Sequence, residues 1–196
     1  MHTLPLFPLS SVLLPGGRIA LQIFEQRYLD LVRDSMKSST PFGVVWIRRG
    51  EEVTGPGRRR PDLGDHGTCA RIVDWDQLPS GLLGITIEGG ERFELHETTV
   101  RDNGLVVGEV SVKEATVPRS LESEWQSLST VLRSLQTHPH VQGLNLAVDH
   151  GDAWSVGYAL VQLLPIEEHV KYELLGLEAV EDLMSELDTL LNQISG

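Results

Sequence analysis

This chain is poor in cysteine, in lysine and in long apolar runs, and each shortage removes a class of function. Its 196 residues contain one cysteine, Cys69. That rules out an intramolecular disulfide and a cysteine-rich metal site. Cys69 falls inside a predicted strand, where a small buried apolar residue is expected rather than a reactive thiol. The lysines are Lys37, Lys113 and Lys171. None follows a glycine-rich turn, so the Lys-Ser/Thr pair that would reach the outer phosphates and magnesium of a nucleotide is missing. No segment approaches the roughly twenty consecutive apolar residues that span a bilayer. The start, Met1-His2-Thr3-Leu4-Pro5, has neither the basic region nor the unbroken apolar stretch of a secretory leader. A cytoplasmic protein is expected, with no membrane partner.

Positive charge is scarce too. The formal net charge is −12, with 13 basic and 16 acidic residues before Pro118 and 3 and 12 from there on. Phosphate backbones are gripped by clustered Lys and Arg, so nucleic acid is not the expected partner. The one basic cluster, Arg58-Arg59-Arg60, stands beside Gly55-Pro56-Gly57, a composition that predicts a solvated loop.

Up to about Lys113 the apolar residues alternate. Ile85 and Ile87, Phe93 and Leu95, and Val106, Val110 and Val112 each share a face, as in half-buried antiparallel strands. With Leu4–Leu9, Arg18–Ile23, Phe42–Arg48 and Gly67–Val73 this predicts about seven short strands, enough to curl into a small barrel. Gly89-Gly90 is expected to join two of them as a tight hairpin, and Asn103-Gly104 to make the next turn. Pro15-Gly16 suits a type II turn. Pro5 and Pro8 cannot donate ladder hydrogen bonds, which predicts an edge or bulged first strand. One helix, about Glu25 to Lys37, interrupts the strands and turns Phe24, Tyr28, Leu31, Val32 and Ser35 to one side.

Beyond Pro118 the period becomes helical. Leu121, Trp125, Leu128, Leu132 and Leu135 follow Ser120 as N-cap, then a loop runs through His138-Pro139-His140. A helix capped by Asp152 starts at Ala153 and ends before Pro165. A short one carries Ile166, Val170 and Leu174 up to Gly176. The last carries Val180, Leu183, Leu187, Leu190, Leu191 and Ile194. The division expected is 1–117 for the β part and 118–196 for a helical bundle.

Candidate chemistry is sparse. Ala153-Trp154-Ser155-Val156-Gly157 has the outline of a nucleophile elbow, but a helix cap precedes it and no Asp-then-His order follows, so helix interior is expected. His138, His140, Asp149, His150 and Asp152 could ligate a metal if three converged, which would allow a metal-dependent hydrolase; helix connection and capping chemistry explain the same residues. Glu25 and Arg27, beside Tyr28, could anchor a bound peptide, or could serve the helix dipole and an internal ion pair. Trp75, between Asp74 and Asp76 and ahead of Pro79-Ser80-Gly81, is placed for recognition at a strand end, although burial is the expectation for all four tryptophans. No catalytic residue, metal site or cofactor is predicted.

A resemblance carries the reading further. Leu4-Pro5-Leu6-Phe7-Pro8-Leu9, then Leu14-Pro15-Gly16-Gly17, then Ile23-Phe24-Glu25-Gln26-Arg27-Tyr28-Leu29 resembles the start of the amino-terminal, substrate-binding domain of Lon proteases. Phe42-Gly43-Val44-Val45, Gly67-Thr68-Cys69-Ala70-Arg71-Ile72, Gly90-Glu91-Arg92-Phe93 and the stretch from Trp154 to Leu175 continue it in order. Gln22 and Gln26 depart from the pattern. The resemblance implies an α+β fold, a PUA-like antiparallel β-barrel with one inserted helix followed by a helical bundle. It implies a stand-alone, non-catalytic member, since the ATPase and peptidase domains are not in this sequence. Its role would be to bind unfolded or exposed polypeptide, or to serve as an adaptor for a protease or chaperone. Phe24, Glu25, Arg27 and Tyr28 would form the polypeptide-binding surface. RNA binding, suggested by the barrel type, is the remaining alternative.

Overall fold

The computed structural model describes residues 1–52 and 61–195; the Arg58–Arg60 loop of the sequence reading lies outside them. The chain splits into two compact units, Met1–Ala115 and Thr116–Gly196.

The first unit is a six-stranded mixed sheet with one helix: β1 His2–Leu9, β2 Arg18–Ile23, α1 Gln26–Ser38, β3 Phe42–Arg49, β4 Asp62–Gln77, β5 Leu83–Val100 and β6 Val106–Val112. The strand order is β2-β5-β4-β3-β1-β6, and β6 also pairs with β5. Six strands replace the expected seven because Gly89-Gly90 is no hairpin. It lies inside β5, which holds β2 along Leu83–Glu88 and β6 along Phe93–Val100. The glycine serves a close approach. Gly16 N donates to Gly89 O at 2.8 Å and Gly89 N to Gly17 O at 2.9 Å, and a Cβ on Gly89 would collide with the Leu14 carbonyl oxygen. The Leu14–Gly17 turn that makes this contact is closed by Gly17 N to Leu14 O at 2.9 Å, with Gly16 at φ 72°, as a type II turn requires.

The first strand is not at an edge. His2–Pro5 pair with β6 and Leu6–Leu9 pair in parallel with β3. Each proline thus sits where the strand is laddered on one flank only, which tolerates a residue without an N–H.

Helix α1 places Tyr28, Leu31, Val32 and Ser35 in the interior, as their 3.6-residue spacing predicts. Phe24 precedes the helix and is 58% exposed. One apolar cluster gathers Phe7, Leu13, Ile23, Tyr28, Leu31, Phe42, Ile85, Ile87 and Leu105; a second gathers Leu4, Leu6, Val45, Cys69, Phe93 and Val110. Cys69 is a packing residue whose thiol burial pushes up to about 11.

The second unit contains α2 Gln126–Gln136, α3 Pro139–Leu144, α4 Ala153–Leu163, α5 Glu168–Leu175 and α6 Val180–Ser195, with a 3-10 turn at Ser123–Trp125. Ser120 is not the N-cap; it bridges to Asp152, and the helix begins later because Glu122 and the 3-10 turn precede it. The His138 segment is not merely a loop, since Pro139 opens the short α3. Trp125, Leu128 and Leu132 of the first stripe are buried with Leu160, Leu183 and Leu187, while Ile194 at the far end of α6 is 54% exposed. Gly157 lies where α6 comes close: a Cβ there would stand 2.7 Å from Leu183 Cδ2. No helix among the described residues is long and apolar enough to cross a membrane.

Candidate functional site

The motif region that opens α1 is structural at its centre. Arg27 is only 6% exposed. Its Nε donates to Glu25 Oε2 at 2.9 Å, and its terminal nitrogens donate to Gly104 O at 3.0 Å and Glu52 O at 3.3 Å. One side chain thereby ties the start of α1 to the β5–β6 turn and to the segment after β3. Charged hydrogen bonds of this kind are among the stronger ones. Arg27 also lies over the Tyr28 ring, 4.5 Å from its centroid, and the opposite face of Tyr28 stacks on Phe7 at 4.0 Å and 9°. Burial pushes the Tyr28 phenol up to about 12, against the lowering effect of Arg27. The ring therefore stays neutral in the physiological range.

A concavity of the first unit opens beside this joint. The β4–β5 ladder starts at His66–Glu94, and ahead of that pair β4 is laddered to β3 and β5 to β6. A cleft of about 500 Å³ occupies the space, with Leu63, Gly64 and Asp65 on one wall, Leu95, His96, Thr98 and Val100 on the other, and Pro8, Tyr28, Arg27 and Val106 between them. Leu63 on β4 and Leu95 and Val100 on β5 give it apolar surface, beside the polar His96 and Thr98. Glu52, Asp62 and Asp65 bring carboxylates to the rim; Asp65 pairs with Arg48 at 3.3 Å and with His66 at 3.1 Å. Of the four residues predicted to bind polypeptide, Arg27 and Tyr28 line the cleft, whereas Phe24 and Glu25 do not. Spacing along the chain could not show this cleft, because its walls are thirty residues apart and a missing ladder leaves no mark in either strand.

The histidine and aspartate cluster serves the backbone. Asp152 Oδ1 accepts from Arg119 N at 2.8 Å and Oδ2 from Ser155 N at 3.1 Å; Asp149 Oδ1 accepts from Gly151 N at 2.8 Å; His138 Nδ1 accepts from His140 N at 3.3 Å. Among the described residues no group of three or more His, Cys, Asp or Glu is placed to hold a metal ion. Burial and Arg133 hold the His150 imidazole below its usual range, opposed by Asp149. Ser155 is the third residue of α4, its Oγ accepting from Asp149 N at 3.0 Å, so the elbow-like sequence is helix. Lys171 Nζ donates to Gln162 O at 3.3 Å and pairs with Glu168 at 3.4 Å, the contacts of an anchoring ammonium. Trp75 departs from the expected burial and is 60% exposed.

The chain is 29% identical over 134 residues to a Lon protease of Parabacteroides distasonis, an overlap covering 68% of this chain and 16% of that protein. It is 32% identical over 124 residues to Lon protease 2 of Myxococcus xanthus, covering 63% and 15%. The chain thus spans about a sixth of the length of these relatives. Among solved structures, a Lon N-terminal domain protein from Xanthomonas campestris superposes with a TM-score of 0.76 at 36% identity, covering 96% of this chain and 98% of that one. The N-terminal domain of a Mycobacterium avium complex Lon protease shares the fold at a TM-score of 0.61 and 14% identity, covering 95% and 96%. The family model of the ATP-dependent protease La (LON) substrate-binding domain matches residues 3–193, so this chain belongs to the Lon substrate-binding domain family.

Proposed function

We propose that this chain is a non-catalytic polypeptide-binding module whose site is the cleft between the diverging ends of β4 and β5. Two strand edges facing one another across a cleft that Leu63, Leu95 and Val100 line, with no ladder among the described residues joining them beyond His66–Glu94, carry the reading. An extended segment entering there finds backbone partners along an edge and pockets for alternate side chains, the arrangement by which strand addition gives both affinity and selectivity. A volume of about 500 Å³ lies within the range of working ligand sites. The closed run of pairings β5-β4-β3-β1-β6-β5 supports a PUA-like barrel as the scaffold. Membership of the Lon substrate-binding family supports unfolded or exposed polypeptide as the ligand, with a protease or chaperone as the partner that receives it. The acidic balance argues against nucleic acid.

The test is an anisotropy titration of a fluorescently labelled unfolded protein. Wild type should bind with a dissociation constant on the order of micromolar or weaker, since an extended segment loses chain entropy on docking. A Leu63→Gln/Val100→Gln double variant, which puts amides into the two apolar walls, should bind about tenfold more weakly. Absence of binding by the wild type would remove the function; equal binding by both proteins would remove the site.

A further inference from the structure

A second surface of the first unit is built for recognition, and it lies on the opposite half of β4. The β3–β4 ladder ends at Phe42–Ala70, while β4 stays paired with β5 through Trp75–Ile85 to Gln77–Leu83. From Ile72 to Gln77 no strand among the described residues pairs with the flank of β4 that faces away from β5. Trp75 stands on this stretch with 60% of its surface in water, an unusual place for the residue type that most often anchors interfaces. Hollows lie on both sides of it. One of about 430 Å³ is bounded by the β4 flank and by Met36, Ser39 and Thr40 at the end of α1, with Met36 itself 44% exposed. The other, about 240 Å³, is floored by Leu21, Leu78 and Ile85.

Charge indicates the occupant. Asp74 and Asp76 bracket the indole, and both are exposed. Each engages one carboxylate oxygen with the next backbone N–H, at 2.9 Å to Trp75 N and 2.7 Å to Gln77 N. Arg71, on the same strand, is paired with Glu88. The exposed indole offers a cation its ring face, and the two acids on the same stretch give the flank a negative charge that draws a cationic partner. A second copy of this chain would bring the same two aspartates, and a like net charge, against them. We propose that the open flank of β4 around Trp75 is a docking site for an extended, lysine- or arginine-bearing segment of a partner protein, separate from the cleft at the other end of β4. The segment would lie along the open flank, lay an apolar side chain into the hollow beside Met36, and place its cation over the indole; the Trp75 and Gln77 N–H groups are already taken by Asp74 and Asp76, so side chains rather than a new ladder carry the contact.

Two labelled peptides of about ten residues test this, one alternating valine with lysine and the other valine with glutamate. Wild type should bind the lysine peptide, and the glutamate peptide at least about tenfold more weakly. Trp75→Ala should weaken the lysine peptide about tenfold. Asp74→Asn/Asp76→Asn should weaken it and flatten its dependence on salt. The Leu63→Gln/Val100→Gln variant should leave it unchanged, so failure of the cleft reading and failure of this one give different patterns. Equal affinity for the two peptides would overturn the proposal, as would indifference to Trp75→Ala. Loss of binding in the cleft variant alone would also overturn it, as would a Trp75-dependent dimer in sedimentation without peptide binding.

Discussion

Replacing Tyr28 by Ala should destabilise the first unit's core rather than probe a binding surface. The ring is 5% exposed, stacked on Phe7 on one face and covered by the Arg27 guanidinium on the other. Its removal deletes a buried aromatic, which in protein cores costs about 3–5 kcal/mol. It also strips the cover from a buried guanidinium that holds Glu25, Gly104 and Glu52. At this chain length each kcal/mol moves the melting midpoint by roughly 2–4 °C, so Tyr28→Ala should melt about 6–20 °C below wild type. Tyr28→Phe keeps the ring, the stack and the cation contact, and should stay within about 1.5 kcal/mol of wild type. Differential scanning fluorimetry with denaturant titration reads both. If the two variants melt alike, or if Tyr28→Ala melts with wild type, Tyr28 is not the keystone of the α1 joint and the geometry given for it is wrong.

Further expectations concern the two units separately. Gly157→Val should lower the melting temperature by an amount matching about 1–3 kcal/mol of overpacking against Leu183; a more stable variant would mean that α4 and α6 are not in close contact there. Glu88 accepts from Arg18 at 2.8 Å and from Arg71 at 3.2 Å, two residues paired directly across from it on β2 and β4. Burial pushes the Glu88 carboxyl up, but these hydrogen bonds and charges outweigh it and hold the carboxyl below the usual range. A carboxylate depressed in the folded state adds stability above its unfolded pKa and loses it as pH falls through the folded value. Stability measured from neutral pH into the acid range should therefore decline less steeply in Glu88→Gln than in wild type; parallel curves would refute the assignment.

Much of the α+β order was legible in the sequence because period-2 and period-3.6 patterns are local. Alternation marked the strands, Pro15-Gly16 and Asn103-Gly104 marked turns, and the stripe Tyr28, Leu31, Val32 and Ser35 marked the buried face of α1. Asp152 was readable as a cap because a cap acts within three residues of itself. What failed was non-local. Gly89-Gly90 has the composition of a turn, but the demand it meets comes from Leu14 and Gly17, seventy residues earlier. Pro5 and Pro8 suggested an edge, yet β1 is shared between β3 and β6 along different halves. Asp74, Asp76 and Pro79-Ser80-Gly81 marked Trp75 as a strand-end residue, but burial was still the expectation; its exposure accompanies β3 beginning only at Phe42, which leaves the flank of β4 open. The cleft between β4 and β5 is a ladder that ends, and only the tertiary course of the two strands decides where it ends. The sequence by itself determined which residues could be strand, helix, cap and core, because those choices depend on neighbours in the chain. The tertiary structure decided which strand edges remain open and which motif residues face a cleft, because both depend on partners that the chain brings together only when folded.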